Sequence, residues 1–290
     1  MNSTIKKVIT IALTAILLMG TAACAADQGT PGSTTTKTET QTSATGIKFS
    51  GKIVASGSTS MEELMTAFGE TFSVINPDVS VEIQGGGSST GIKNAADGVS
   101  EIGNSSRALK DSEKTLGLTE HIVAIDGIAV AVNPANPVTS LTRDQLISIF
   151  TGVVTNWKDV GGADAPIVVI LREAGSGTRD GFEAILDIAD TVKGSQEVNE
   201  TGIVKSTVAG NVNAIGYLSL GKVDTTIKTV SIDGINPSET TVKDGSYKLQ
   251  RPFVCLTKGT VSELVNAFFT FILSNEGQAL VAQKGYVPLG

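Results

Sequence analysis

Strand-like runs that alternate with helix-like ones through residues 47–290 predict an α/β fold with mostly parallel or mixed sheet. Three observations carry this reading. Short runs rich in Val and Ile recur, apolar stripes at helical spacing follow them, and Gly/Ser/Thr-rich turns mark where one gives way to the other. Lys52 to Ala55 reads as the first strand. Met61, Leu64, Met65, Phe68, Phe72 and Ile75 form a helical stripe, closed by Asn76-Pro77 because the residue before a proline avoids the helical region. Val79 to Ile83 alternates as a strand, and Gly85 to Gly91 turns into a short helix. Ile122 to Val132 is a long apolar strand, interrupted by Asp126-Gly127. Leu141 to Phe150 is a helix, begun by Thr139-Ser140 or Thr142. Pro166 to Leu171 is a strand leading to a helix that carries Phe182, Ile185, Leu186 and Ile188. Ile215 to Leu220, Ile227 to Ile232 and, after Arg251-Pro252, Phe253 to Leu256 read as further strands. Val261 to Leu273 is a strongly apolar helix, and no repeat of solenoid period occurs.

The start of the chain addresses it outside the cytoplasm. Lys6 and Lys7 precede an apolar run from Val8 to Met19, followed by small residues up to Ala23, the pattern of a cleaved signal peptide over residues 1–23. Residues 24–46 contain no large apolar side chain, so burial cannot offset the entropy of ordering them, and a flexible tether is expected. The chain has two cysteines, Cys24 and Cys255, and Cys255 within Phe253-Val-Cys-Leu256 reads as a buried apolar residue. The net charge of −7 becomes more negative when the two leader lysines are removed. An acidic surface argues against nucleic acid as a partner, so any taste for anions must come from local donors.

Such donors are concentrated in Leu171 to Asp180, where Arg172-Glu-Ala-Gly-Ser-Gly-Thr-Arg179 joins a strand to a helix. Gly175 and Gly177 allow close backbone approach, and the first N–H groups of the helix lack internal partners at its positive end. Ser176 and Thr178 add hydroxyls, and Arg172 and Arg179 can supply the planar fork that fits a tetrahedral oxyanion. Three more hydroxyl-rich loops follow strands: Ala55 to Ser60, Gly85 to Gly91, and Gly103 to Arg107. In open α/β sheets ligands sit beyond the carboxyl ends of strands, beside helix N-termini, so four such loops can converge on one anion.

Other chemistries lack parts. A P-loop fails because Ile92 follows Gly91 where lysine is needed, and a dinucleotide fingerprint fails at Thr90. A nucleophile elbow fails because Ala174 and Thr178 flank Ser176. His121 is the one histidine, which leaves a Ser-His-Asp triad or a metal cluster without material. Trp157 reads as a packed anchor. No enzyme activity, cofactor or metal is expected.

Gly57-Ser-Thr-Ser60, Gly87-Ser-Ser89, Ile102-Gly-Asn-Ser-Ser-Arg107, Ile149-Phe-Thr-Gly152 with Asn156-Trp157, and Arg172 to Arg179 occur in this order. Together they resemble the phosphate-binding lipoprotein (PstS) family of bacterial phosphate ABC transporters. The likeness covers essentially all of residues 47–290. It implies a two-lobed periplasmic-binding-protein fold of type II, each lobe a mixed or parallel sheet flanked by helices, with two hinge crossings. These are placed near Asn133-Pro134 and Arg251-Pro252, giving one lobe from 47–133 plus 252–290 and a second from 134–251. The protein would be a monomer that closes on inorganic phosphate and delivers it to membrane-embedded permease subunits. Thr21-Ala-Ala-Cys24 resembles a lipoprotein cleavage site, with Cys24 as the lipidated residue that holds the protein to the cell membrane.

Carried over by position, Ser58, Thr59 and Ser60 would bind phosphate from the first loop, Ser88 from the second and Ser106 from the third. Arg172, Ser176, Gly177 and Thr178 would bind it from the second lobe. Members of the family place carboxylates at the positions of Ser106 and Ala174, and neither residue is acidic here. A carboxylate accepts the O–H of protonated phosphate and repels sulfate, which has no proton to give. Asp126, inside an apolar strand, is the candidate substitute, with pairing to an arginine as its alternative role. Glu173 is the lesser candidate, because strand alternation turns it away from Arg172. The competing functions are a binding protein for sulfate or another tetrahedral oxyanion, a phosphate sensor, and a secreted phosphate-ester hydrolase.

Overall fold

One long strand organises the sheet. A computed structural model describes residues 48–290; the signal peptide, Cys24 and the tether lie outside the described residues. In chain order the strands are β1 (Gly51–Gly57), β2 (Val79–Gly86), β3 (Ile102–Ser105) and β4 (Leu118–Val132). They continue with β5 (Ser140–Leu141), β6 (Val168–Arg172), β7 (Gln196–Val198), β8 (Ala214–Ser219), β9 (Lys228–Thr229), β10 (Ser231–Ile232) and β11 (Gln250–Lys258). The helices are α1 (Glu62–Ile75), α2 (Ser88–Asp97), α3 (Arg143–Phe150), α4 (Gly177–Leu186), α5 (Thr201–Gly210), α6 (Glu239–Lys243), α7 (Glu263–Ile272) and α8 (Asn275–Gln283). The main sheet runs β2-β1-β3-β11-β4-β8-β6-β7, with β9 beside β4, and β10 pairs with β5 separately. The α/β expectation holds.

β4 serves two halves. Residues 118–127 pair with β11, while Ile128 to Val132 pair with β8. The expected interruption at Asp126-Gly127 is therefore a change of partner inside an unbroken strand. The crossing expected near Asn133-Pro134 lies at the far end of this strand; Ile128, Val130 and Val132 pack in one core with Leu146, Phe150, Trp157, Phe182 and Tyr217. β11 crosses beside β4, with Arg251 opposite Asp126. The single run expected at Ile227 to Ile232 is two short strands, β9 and β10, with different partners.

The first half takes its core from the helical stripes. Met61, Leu64, Met65, Phe68 and Phe72 meet Phe268, Phe271 and Ile272 of α7, and Phe72 and Phe268 pack edge to face with centroids 5.2 Å apart. Each such side chain contributes about 1.5–3 kcal/mol by leaving water. Cys255 is buried in this core, and burial pushes its thiol up to about 12. His121 lies within β4, its ring stacked on Phe269 and its Nε2 2.9 Å from the Thr257 hydroxyl.

Parallel pairing of β1 with both β2 and β3 brings three strand ends, and the loops that follow them, to one edge. Their backbones touch there. A Cβ on Gly57, whose φ is +134°, would stand 2.2 Å from the Asn104 carbonyl oxygen and 2.8 Å from the Gly91 Cα. In the second half β6 is parallel to both β7 and β8, so Arg172 at the end of β6 and Val198 at the end of β7 lie side by side.

Candidate functional site

The two sets of strand ends face each other. From the first half come Ser58, Thr59 and Ser60 ahead of α1, Ser88 at the start of α2, and Ser106 after β3; all are buried. From the second come Arg172, then Ser176, Gly177 and Thr178 at the start of α4, and these are buried too. The structure thus brings these nine residues to one region between the halves. The Ser60 hydroxyl stands 2.9 Å from that of Thr178 across the divide. Gly177 lies closest: a Cβ there would fall 2.2 Å from the Ser88 hydroxyl oxygen and 2.7 Å from that of Ser106.

Local chemistry explains each placement. Ser176 caps α4 by accepting from the Arg179 N–H, which leaves its own hydroxyl proton to give. The N–H groups of Gly177 and Thr178, in the first turn, have no acceptor within the helix. The Ser58 N–H donates to the Asn104 carbonyl, locking the first loop to β3. The Ser88 hydroxyl accepts from the Ser106 N–H at 3.0 Å and lies 3.3 Å from the Ser106 hydroxyl.

Arg172 is the centre of the second-half set. Its Nη1 donates to Thr201 at 2.9 Å, its Nη2 to Thr59 at 3.2 Å, and its Nε and Nη2 to the two oxygens of Glu173. Glu173 corrects an expectation. β6 ends at Arg172, so strand alternation no longer governs the next residue, and its side chain folds back as a bidentate partner. Arg179 corrects another. It donates to Glu183, Glu197 and the Arg172 carbonyl oxygen, and is held on the flank of α4 instead of the site.

Asp126 adopts the alternative role. It is fully buried; one carboxylate oxygen accepts from Ser219 and the Leu220 N–H, and the other from Arg251 Nε and Nη2. The four lone-pair directions of a carboxylate are then filled, so in this arrangement Asp126 has nothing left to accept a ligand proton. Burial pushes its carboxyl above the ordinary range, against the pull of Arg251, Ser219 and the Leu220 N–H.

Two site neighbours escaped motif reading. Thr201 opens α5, and its hydroxyl lies 3.0 Å from that of Thr59 and 3.1 Å from that of Ser60. Arg251 reaches Ser106 through Nη1 at 3.1 Å and Ser60 through Nη2 at 3.3 Å. Both follow positions that sheet topology alone brings here, the ends of β7 and the crossing of β11. Around the rim, Arg107 of the first half donates to Asp180 of α4 at 2.7 Å and to both oxygens of Glu113. Burial alone would raise the Glu113 carboxyl, but Arg107 and Lys110 hold it below its ordinary range.

The sum is a buried, hydroxyl-lined region with two guanidinium groups, each balanced by one carboxylate. Comparison with known proteins agrees with this chemistry. Residues 26–276 match the PBP superfamily domain. The chain is 36% identical over 247 residues to the phosphate-binding protein PstS of Bacillus subtilis (strain 168), covering 83% of this chain and 82% of that protein. The chain belongs to the PstS family. A PstS-like fold also appears in a crystal structure from Clostridium perfringens, a putative phosphate ABC transporter substrate-binding protein with bound phosphate. That structure is 46% identical with a TM-score of 0.81, over 83% of this chain and all of the other. An ABC-type phosphate transport receptor from Vibrio cholerae is 36% identical with a TM-score of 0.70, over 82% of this chain and 100% of the other. PstS membership accounts for a site built from donors instead of a nucleophile with its base.

Proposed function

We propose that this protein captures inorganic phosphate between two lobes and hands it to an ABC permease for import. One lobe combines the residues before Asp126 with those after Arg251, and the other is the stretch between. The observation that carries the reading is the polarity of the hydroxyls. Thr59 and Thr201 accept from Arg172, Ser60 and Ser106 from Arg251, and Ser88 from the Ser106 N–H. An oxygen that accepts from a fixed donor turns its proton away from that donor, and in this reading the hydroxyls that bond one another across the divide would turn their protons to the anion. Phosphate oxygens are the complementary acceptors. Ser58, Ser176, Gly177 and Thr178 complete the set from the two loop ends.

Selectivity against sulfate rests on Glu173 in this reading. Each of its oxygens takes a bond from Arg172, which leaves a lone pair on each, and Glu173 Oε1 would lie 3.1 Å from a Cβ on Gly87 of the opposite half. Calorimetric titration of the ion-stripped protein with phosphate and then sulfate tests both points. One-to-one phosphate binding that excess sulfate leaves untouched is expected. In Glu173→Gln the preference for phosphate over sulfate should fall by about tenfold or more, as one acceptor becomes partly a donor. Sulfate binding as tight as phosphate in the unaltered protein would overturn the assignment.

Cys24 is the lipid anchor in this reading, supported by the small residues that precede it. Two acyl signals are needed for stable attachment, so a diacylated cysteine fits. Cells expressing a Cys24→Ser form should release the protein from their membrane fraction; retention there would remove the anchor.

A further inference from the structure

Arg251 sits where the sheet changes halves, opposite Asp126 in the ladder, and its guanidinium is buried. Its charge is matched on the spot, because Nε and Nη2 both donate to the same Asp126 oxygen, at 3.1 and 2.9 Å. Phe253 of the same strand adds its ring face, 5.6 Å from Cζ. What remains is directional donation: Nη1 to Ser106 and Nη2 to Ser60.

A guanidinium can only donate. Ser60 and Ser106 must therefore accept from it, and each has one proton to place. For Ser60 the remaining neighbours are Thr178 at 2.9 Å and Thr201 at 3.1 Å, both from the second half. For Ser106 the neighbour is Ser88, whose oxygen already accepts from the Ser106 N–H. Without Arg251 each serine could rotate its proton into the place the guanidinium holds, and the region would lose directed donors without losing a hydroxyl.

Resting on the phosphate reading above, we propose that Arg251 is a positioning residue that locks Ser60 and Ser106 as donors and so tunes the site to the fully deprotonated oxygens of the anion. Asp126 is the counter-charge that lets a buried cation do this without becoming a general anion trap. The consequence concerns ionisation state. Serines whose protons are fixed favour the phosphate dianion, with its single O–H left to Glu173, whereas serines free to turn can accept from the second O–H of the monoanion.

The test uses Arg251→Lys, which keeps the charge but has no fork to reach both serines and Asp126 together. Phosphate affinity is measured by calorimetry from pH 6 to pH 8, across the second ionisation of phosphate. Phosphate affinity at pH 8 should fall by about tenfold or more, and affinity at pH 6 should fall less. Equal losses at every pH, or none, would overturn the proposal and leave Arg251 a packing residue. Should the lysine variant fail to fold, Asp126→Asn combined with Arg251→Gln carries the same test, since two amides replace the ion pair without a lone buried charge. If the unaltered protein bound no phosphate at any pH, the phosphate reading itself would fail, and that result is distinct from a flat pH profile.

Discussion

Arg172→Met is expected to weaken phosphate binding by about a thousandfold or more. The guanidinium holds the Thr59 and Thr201 hydroxyls from opposite halves, at 3.2 and 2.9 Å, and engages Glu173 with two further bonds. Hydrogen bonds to a charged group are worth about 1.5–3 kcal/mol each, so losing two costs roughly 4 kcal/mol, and each 1.4 kcal/mol is tenfold in affinity. The variant loses more than that. Glu173 keeps its charge without a partner and then repels the anion that Arg172 would have attracted. Arg172→Lys should recover only part of the loss, because a point charge cannot replace a planar fork. Calorimetry on both variants checks this, and a methionine variant within tenfold of the unaltered protein would remove Arg172 from the binding set.

Gly177→Ala should lower both affinity and stability. Gly177 opens α4 without a positive φ, so alanine suits the helix itself, and any loss comes from what the added methyl meets. Across the divide the same methyl meets the Ser88 hydroxyl oxygen at 2.2 Å, its Cβ at 2.9 Å and the Ser106 hydroxyl oxygen at 2.7 Å. Atoms cannot pack so closely, and the nearest ones belong to buried side chains with little room to retreat. The two halves would be wedged apart, and phosphate affinity should fall by about a hundredfold or more, from overpacking of 1–3 kcal/mol and lost donors. Thermal melting without ligand and calorimetry with it would show both falling. Undiminished affinity would mean that Gly177 does not face the anion.

Much of this was legible in the chain itself, and the exceptions have causes. The stripe from Met61 to Phe72 and the run from Val265 to Ile272 are amphipathic enough to be read directly, and both bury the expected faces. Thr142 shows why a helix start can be read to the residue: it caps α3 in a reciprocal box with Gln145. α5 went unread because Gly202, Thr207, Val204 and Val208 weaken its helical signal and Glu200 offers no side-chain cap. Thr201 was lost with it. The hydroxyl loops could be found because each follows a strand, and strand ends gather at one edge in parallel sheet. Arg251 could not, since its partners Ser60, Ser106 and Asp126 are distant in sequence and meet only through the order β3-β11-β4. Asp126 was visible as an anomaly, but which of two roles it takes depends on that same order.

That strand order also dictates when the protein can be assembled. β3 and β4 are separated in the sheet by β11, which is made from residues 250–258, so an emerging chain has a gap at the centre of its first half until those residues have appeared. α7 and α8, which close the same core, come later still. β4, β6, β7 and β8 are contiguous in the chain and can pair earlier. Loop closure across such long separations is slow, and a half-built sheet exposes unpaired edges while it waits. For an extracytoplasmic protein the order is an advantage: a chain whose sheet cannot be completed until β11 arrives stays threadable during translocation.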